Sequence, residues 1–169
     1  MASIKFSTSA TPIEVATVQE GTGPSIAATE CYGSVGGNGE VESIAVVSGG
    51  GNNGGYTDGA KFYLSATAVV DGSAVAITNL ASTKFIYFKH TGYQYSSSSA
   101  LSSTANTADV LTITAGSTVI ARLKAGEALM LPTRGATALD QFKINSGDGA
   151  NLDGSVGSAT IAVEFLAFA

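Results

Sequence analysis

Apolar residues along this chain gather in short runs bounded by Gly, Ser, Asn and Asp, recurring about every ten residues, while the i, i+3, i+4 spacing of an amphipathic helix is nearly absent. That pattern predicts an all-β fold, an antiparallel β-sandwich of jelly-roll type. The runs predict strands at Ile4–Ser7, Ile13–Val18, Ser25–Glu30, Val41–Val47, Lys61–Val69, Ala74–Thr78, Lys84–Thr91, Val110–Thr114, Thr118–Leu123, Ala128–Leu131, Leu139–Ile144 and Ser158–Phe168. In the last of these, Ile161, Val163, Phe165 and Ala167 alternate onto one face, and Ala162, Leu166 and Phe168 place further apolar groups on the other. Such a strand needs cover on both sides, from a second layer or from a neighbouring subunit. Phe85, Tyr87 and Lys89 alternate with Ile86, Phe88 and His90 in the same two-faced way.

The breakers between runs are explicit. Asp71-Gly72 between Val69-Val70 and Ala74-Val75 predicts a tight hairpin. Lys124-Ala125-Gly126-Glu127 predicts a turn that folds Thr118–Leu123 back onto Ala128–Leu131, which Pro132 then stops. The glycine-rich run from Gly49 to Gly55 reads as a long flexible loop, and Ser96 to Ser103 as a low-complexity polar stretch. No repeat period is evident, so residues 1–169 are expected to form one β-sandwich domain, with 1–12 as an extended N-terminal arm.

Composition narrows the function. The chain has 169 residues, of which 44% are hydrophobic and 12% charged, so it can bury a core and carries too little charge for a disordered tail. Eight Lys and Arg stand against thirteen Asp and Glu, a net charge of −5 that disfavours a run of phosphates, and no nucleic-acid partner is expected. The N-terminus lacks a basic segment followed by an apolar one, and no window approaches 18 apolar residues, so neither a secretory signal nor a membrane partner is expected. The single Cys31 has no second thiol to pair with and reads as a small packed side chain.

Candidate chemistry is sparse. The one histidine, His90, lies at a strand end and reads as a solvated or hydrogen-bonded side chain rather than a general base. The serines form no Gly-x-Ser-x-Gly elbow. Glu40 and Glu42 share a face if Val41 is in a strand, and with Glu127 they are the carboxylates to test for glycoside hydrolysis, although solvated edge charges explain them better. Asn145 to Gly154 alternates oxygen ligands with glycines like a calcium loop, without the bidentate Glu, so ordinary turn chemistry is preferred. Gly33 to Gly39 lacks the lysine of a phosphate cradle. No catalytic residue, cofactor or metal ligand is therefore assigned. Tyr56, Tyr93 and Tyr95 could line a shallow glycan site, but loop anchoring or interface packing is the plainer reading.

Two stretches, Lys84-Phe-Ile-Tyr-Phe-Lys-His-Thr-Gly92 and Leu111 to Pro132, the latter containing Ile120-Ala-Arg-Leu-Lys-Ala-Gly-Glu-Ala-Leu-Met-Leu-Pro132, resemble a pattern common in small structural proteins of tailed-bacteriophage virions. The pattern is a strand ending in K-x-T-G, then I-A-x-L-x-x-G-E-x-x-x-L-P, then a C-terminal strand rich in aromatics, which Ile161 to Phe168 matches. The likeness covers the second half of the chain. It implies a jelly-roll sandwich on the outside of a capsid or at a tail, often a homotrimer, and carries over no catalytic residue.

The expected function is thus a capsid decoration or cement protein, made in the host cytoplasm, that binds the major capsid protein lattice on the outer surface of the virion and stabilises it by mass action. A tail-associated or receptor-binding, lectin-like module is the alternative, with Gly49–Gly59 and Tyr93–Ser103 as glycan loops. For assembly contacts the chain offers Phe165, Leu166 and Phe168 in the terminal strand and Ile4 and Phe6 near the start, apolar groups able to lie along a neighbour.

Overall fold

Where the apolar alternation has period two, the chain is extended, and where Gly, Pro or Asn interrupts it, the chain turns. The computed structural model describes residues 2–10, 13–14, 29–30, 35–44, 53–54, 61–66, 82–134, 141–148 and 160–168. The described elements are β1 (Ala2–Ala10), β2 (Ile13–Glu14), β3 (Thr29–Glu30), β4 (Val35–Ile44), β5 (Asn53–Gly54), β6 (Tyr63–Ser65), β7 (Phe85–His90), β8 (Tyr93–Ser97), β9 (Ala100–Ala105), β10 (Asp109–Ala115), β11 (Thr118–Leu123), β12 (Ala128–Leu131), β13 (Phe142–Asp148) and β14 (Ala162–Phe168). The fold is all-β, and the pairings with a described register are antiparallel. The Asp71-Gly72 hairpin, the strand expected at Ala74–Thr78 and Cys31 lie outside the described residues.

The chain divides into two compact units, Ser3–Glu42 and the rest. In the smaller unit β1 pairs with β4 and β2 with β3. Residues 2–10, within the 1–12 expected as an N-terminal arm, form β1, which pairs with β4 of the same chain. Gly39 permits the pairing: a methyl group there would fall 2.3 Å from the Phe6 ring, so the ring lies against bare backbone.

The larger unit is a two-layer sandwich. One layer has the order β11-β10-β13; in the other, β12-β7-β14-β5, β14 also pairs with β6. Facing rows from both layers fill the core: Leu64, Ile86, Phe88, Val163, Phe165 and Ala167 from one, Leu111, Ile113, Leu123, Phe142 and Ile144 from the other. Phe88 bridges the layers, its ring centroid 5.4 Å from that of Phe165 and 6.2 Å from that of Phe142. Among the described strands β14 is the most deeply covered: its edges pair with β7 on one side and with β6 and β5 on the other, and both its faces contribute buried residues, Val163, Phe165 and Ala167 towards the core and Ala162 and Glu164 on the opposite face.

Two expectations are overturned in this unit. The turn at Lys124 to Glu127 does not fold β11 onto β12: β11 pairs with β10 and β12 with β7, so the turn carries the chain from one layer to the other. The core decides this, because Leu123 enters it from one layer while Leu129 and Leu131 pack on it from the opposite layer. Gly126 sits at the bend with φ +88°, where a side chain would be strained. Second, Tyr93 to Ala105 is a β-hairpin rather than loose polar filler, with Tyr93 opposite Ala105 and Tyr95 opposite Leu101. The glycine-rich run likewise contains β5, whose Asn53 and Gly54 pair with Phe168 and Ala167.

Candidate functional site: a contact face and a polar corner

The pairing registers set the outer side chains of the second layer in rows. Phe85 and Phe168 form one row, Met130, Tyr87 and Leu166 the next, and Ala128, Lys89, Glu164 and Tyr63 a third. With strands about 4.8 Å apart, the first two rows make a continuous apolar band. Tyr87, Met130, Leu166 and Phe168 are half-buried and Phe85 is buried. The third row is polar: Lys61 Nζ donates to Glu164 Oε2 at 3.2 Å, but Lys61 is mostly exposed, so the pair contributes less than about 1 kcal/mol. Tyr87 titrates above its ordinary value because burial disfavours the phenolate and the Glu164 carboxylate repels it.

The residues singled out from sequence do not converge on one site. Leu166 and Phe168 are in the apolar band, whereas Phe165 points the other way and is completely buried in the chain's own core, so it has no surface to offer a partner. Ile4 and Phe6 lie on β1 in the smaller unit, both half-buried. Tyr93 is exposed on the β8–β9 hairpin and Tyr95 half-buried, with Tyr56 outside the described residues. Glu40 accepts a hydrogen bond from Ser3 Oγ across the β1–β4 pair, and Glu42 beside it is exposed. Glu127 closes its own turn, accepting the Lys124 N–H at 2.7 Å. Asn145 to Asp148, read as the start of a turn, is strand, with Gly147 buried opposite Val110; 149–154 lie outside the described residues. Met130 carries no distinguishing sequence signal, being one apolar residue in an ordinary strand; only its register with Tyr87 reveals it.

The best-formed polar constellation is a corner where the two layers meet, and it centres on His90. The ring is fully buried on the core side of β7, as the hydrogen-bonded reading of this residue anticipated in part. Gly92 N–H donates to Nδ1 at 3.0 Å, which leaves the proton on Nε2, 3.2 Å from the Asp109 carbonyl on the opposite layer. Burial holds the ring below the ordinary histidine value of 6.5, against the upward pull of the Asp109 carbonyl and of the Asp109 and Glu127 carboxylates. Asn106 braces the corner. Its Nδ2 donates to Asp109 Oδ2 at 2.9 Å and to the Thr160 carbonyl at 3.3 Å, and its Oδ1 accepts the Asp109 N–H at 3.3 Å. Ser146 Oγ adds a bond to Asp109 Oδ2 at 3.3 Å. The legible sign was Asn106 three residues before Asp109 at the start of a strand, a spacing that shapes turns by side-chain-to-backbone bonding.

Gly92 makes the corner possible. Its φ of +83° is left-handed, its N–H serves His90 and its carbonyl accepts the Asn106 N–H at 2.8 Å. An added Cβ would meet only the Ala125 side chain, at an ordinary 3.5 Å, so Gly92→Ala tests backbone strain alone. It is expected to cost about 1–2 kcal/mol in urea denaturation. A neutral result would mean that the corner relaxes to negative φ without losing its bonds.

No protein family, curated protein or solved structure matches the chain. Among the described residues, no group of three or more His, Cys, Asp or Glu side chains is placed to hold a metal ion.

Proposed function

We propose that this chain is a structural protein of a tailed-bacteriophage virion, a jelly-roll-type decoration protein that acts by contact on the outside of a capsid. The observation that carries the reading is the apolar band of Met130, Tyr87, Leu166 and Phe168 on the outer side of the second layer. Aromatic residues and methionine at low charge density are what the centre of a protein contact uses. Completing the burial of each such side chain adds up to about 1–2 kcal/mol, and a symmetric oligomer repeats the gain at every copy.

The resemblance supports the same reading at the level of folding. Its K-x-T-G segment is the corner at His90 to Gly92, its G-E pair the crossing at Gly126, and its final L-P the end of β12. There Thr133 Oγ1 bonds the Thr83 carbonyl, and Arg134 N–H the Lys84 carbonyl at 3.0 Å. These are positions that build a sandwich rather than a reaction centre.

The test is solution mass by light scattering, then co-sedimentation with expanded empty capsids of the parent virus at physiological salt. A homotrimer that pellets is expected, and Leu166→Glu should abolish pelleting while the thermal midpoint shifts by only a few degrees. Protein that stays in the supernatant at saturating capsid overturns the capsid role. An oligomer that instead binds saccharide, losing it on Tyr93→Ala, would point to the lectin-like module.

A further inference from the structure

We propose that His90 is an acid-released latch: while neutral it ties the Thr91-Gly92 corner to the opposite layer, and on protonation it frees the β8–β9 hairpin that starts at that corner. This goes beyond the contact function and does not depend on it. The geometry requires the neutral ring. Nδ1 accepts the Gly92 N–H and Nε2 donates to the Asp109 carbonyl, so both nitrogens are engaged only when Nδ1 carries no proton. A proton on Nδ1 sets N–H against N–H on a ring that is fully buried.

The loss falls on one element. Gly92 immediately precedes β8, and four other bonds fix the same corner: Thr91 N–H to the Ala162 carbonyl at 3.2 Å, Thr91 Oγ1 to the same carbonyl at 2.6 Å, Tyr93 N–H to Thr91 Oγ1 at 3.3 Å, and Asn106 N–H to the Gly92 carbonyl at 2.8 Å. A turn of the Gly92 peptide away from an imidazolium disturbs the last two. At its far end the hairpin is held by the Tyr63 N–H on the Ser98 carbonyl at 2.9 Å. The rest of β7 does not share the fate of the corner, since Phe85 to His90 is paired along its length with β14.

The charged groups around the ring set where the latch opens. The Asp109 carboxylate approaches from β10 and that of Glu127 from the crossing turn, and both favour the imidazolium. Asp109 is already engaged by Asn106 and Ser146. Lys89 alternates to the far side of β7. Burial outweighs these attractions, so the latch is shut at neutral pH. The linkage has one sign: the closed state binds the proton less readily than the open one, so the closed state is favoured above pH 6.5 and loses ground as pH falls from there towards the lower value of the closed ring.

His90 is the single histidine of the chain, so its ring can be followed without assignment ambiguity. In NMR of the full chain the neutral ring should be the Nε2–H tautomer and titrate with a midpoint below 6.5. Amide exchange of residues 92–106, corrected for its intrinsic pH dependence, should accelerate by up to about tenfold per pH unit below that value. The amides of Phe88 and Phe165 should keep their protection. His90→Asn keeps an acceptor where Nδ1 stood but cannot titrate, and is expected to erase the acid dependence. An Nδ1–H tautomer, a midpoint at or above 6.5, or hairpin exchange that ignores pH in the wild-type chain overturns the latch. So does a folded His90→Asn variant with the wild-type acid response.

Discussion

Phe165→Ala is expected to lower the stability of the chain by about 3–5 kcal/mol, while Phe168→Ala, three residues along the same strand, should cost less than about 1.5 kcal/mol. The two changes delete the same atoms, so the difference isolates where the ring sits. Phe165 is completely buried, and its ring stacks at a tilt on Phe88, which in turn meets Phe142 from the other layer. Removing it leaves a ring-sized void between two sheets whose backbones are held by ladder hydrogen bonds and cannot collapse far. Phe168 is half-buried on the outer side, next to Phe85, and its loss leaves a notch that water fills. Against a total of about 5–15 kcal/mol for a domain, the first variant is at the edge of folding and the second is not. Urea denaturation with an unchanged slope checks both. Equal losses would mean that the outer band is as fully packed as the core, and the band would then no longer be a contact face. Phe168→Ala should in turn weaken capsid co-sedimentation.

Much of the larger unit was legible because its apolar runs are bounded by turn residues. Thr118–Leu123 and Ala128–Leu131 are strands with the expected bounds, and Lys84–Thr91 differs from β7 only at its ends. The two-faced character of the last strand has its counterpart in the burial of Ala162 and Glu164 on one face as well as of Val163, Phe165 and Ala167 on the other. Pairing was less legible than extension. A turn signal such as Lys124 to Glu127 states that the chain bends, not whether the flanking strands bond or face each other across a core. The inward-pointing leucines resolve that only once the layers are known.

The hairpin of β8 and β9 left little apolar trace beyond Tyr93, Tyr95 and Leu101, since its remaining residues are mostly Ser, Thr and Ala, exposed or half-buried, and the pairing rests on backbone bonds. Glycine misled in the same direction. Val35 to Gly39 and Asn145 to Asp148 look like loops by composition, yet both are strand. At Gly39 the absent side chain is what admits the Phe6 ring. The apolar band proposed as a contact face was half legible: Leu166 and Phe168 follow from the terminal alternation, but the same argument swept in Phe165, whose parity puts it inside. Apart from the Asn106 to Asp109 spacing, the polar corner was not legible, because its members, His90, Asn106, Asp109 and Ser146, are scattered over more than fifty residues and meet only after both layers form.

That corner supplies the second large effect. Asn106→Ala is expected to cost about 2–4 kcal/mol, because Asn106 is nearly buried and its amide serves three partners: the Asp109 carboxylate, the Asp109 N–H and the Thr160 carbonyl. Truncation leaves all three short of a bond, and Ser146 can compensate only at the carboxylate. Asn106→Asp sharpens the test. It preserves shape but brings a second carboxylate to the point where the amide now donates to Asp109 at 2.9 Å, so at pH 7.5 it should be worse than alanine. Two carboxylates so placed hold one proton between them, which raises the folded-state affinity above that of the unfolded chain. The added penalty is therefore complete at high pH and shrinks as pH falls towards the unfolded aspartate value of about 3.9. Referring each variant to wild type at the same pH separates this trend from the opposite one at His90. Urea midpoints at pH 7.5 and 5.0 decide it: the Asn106→Asp deficit should narrow in acid while that of Asn106→Ala holds steady. An aspartate deficit equal at both values would show that the two carboxylates splay apart into solvent, and that Asn106 fills space at the corner instead of binding it.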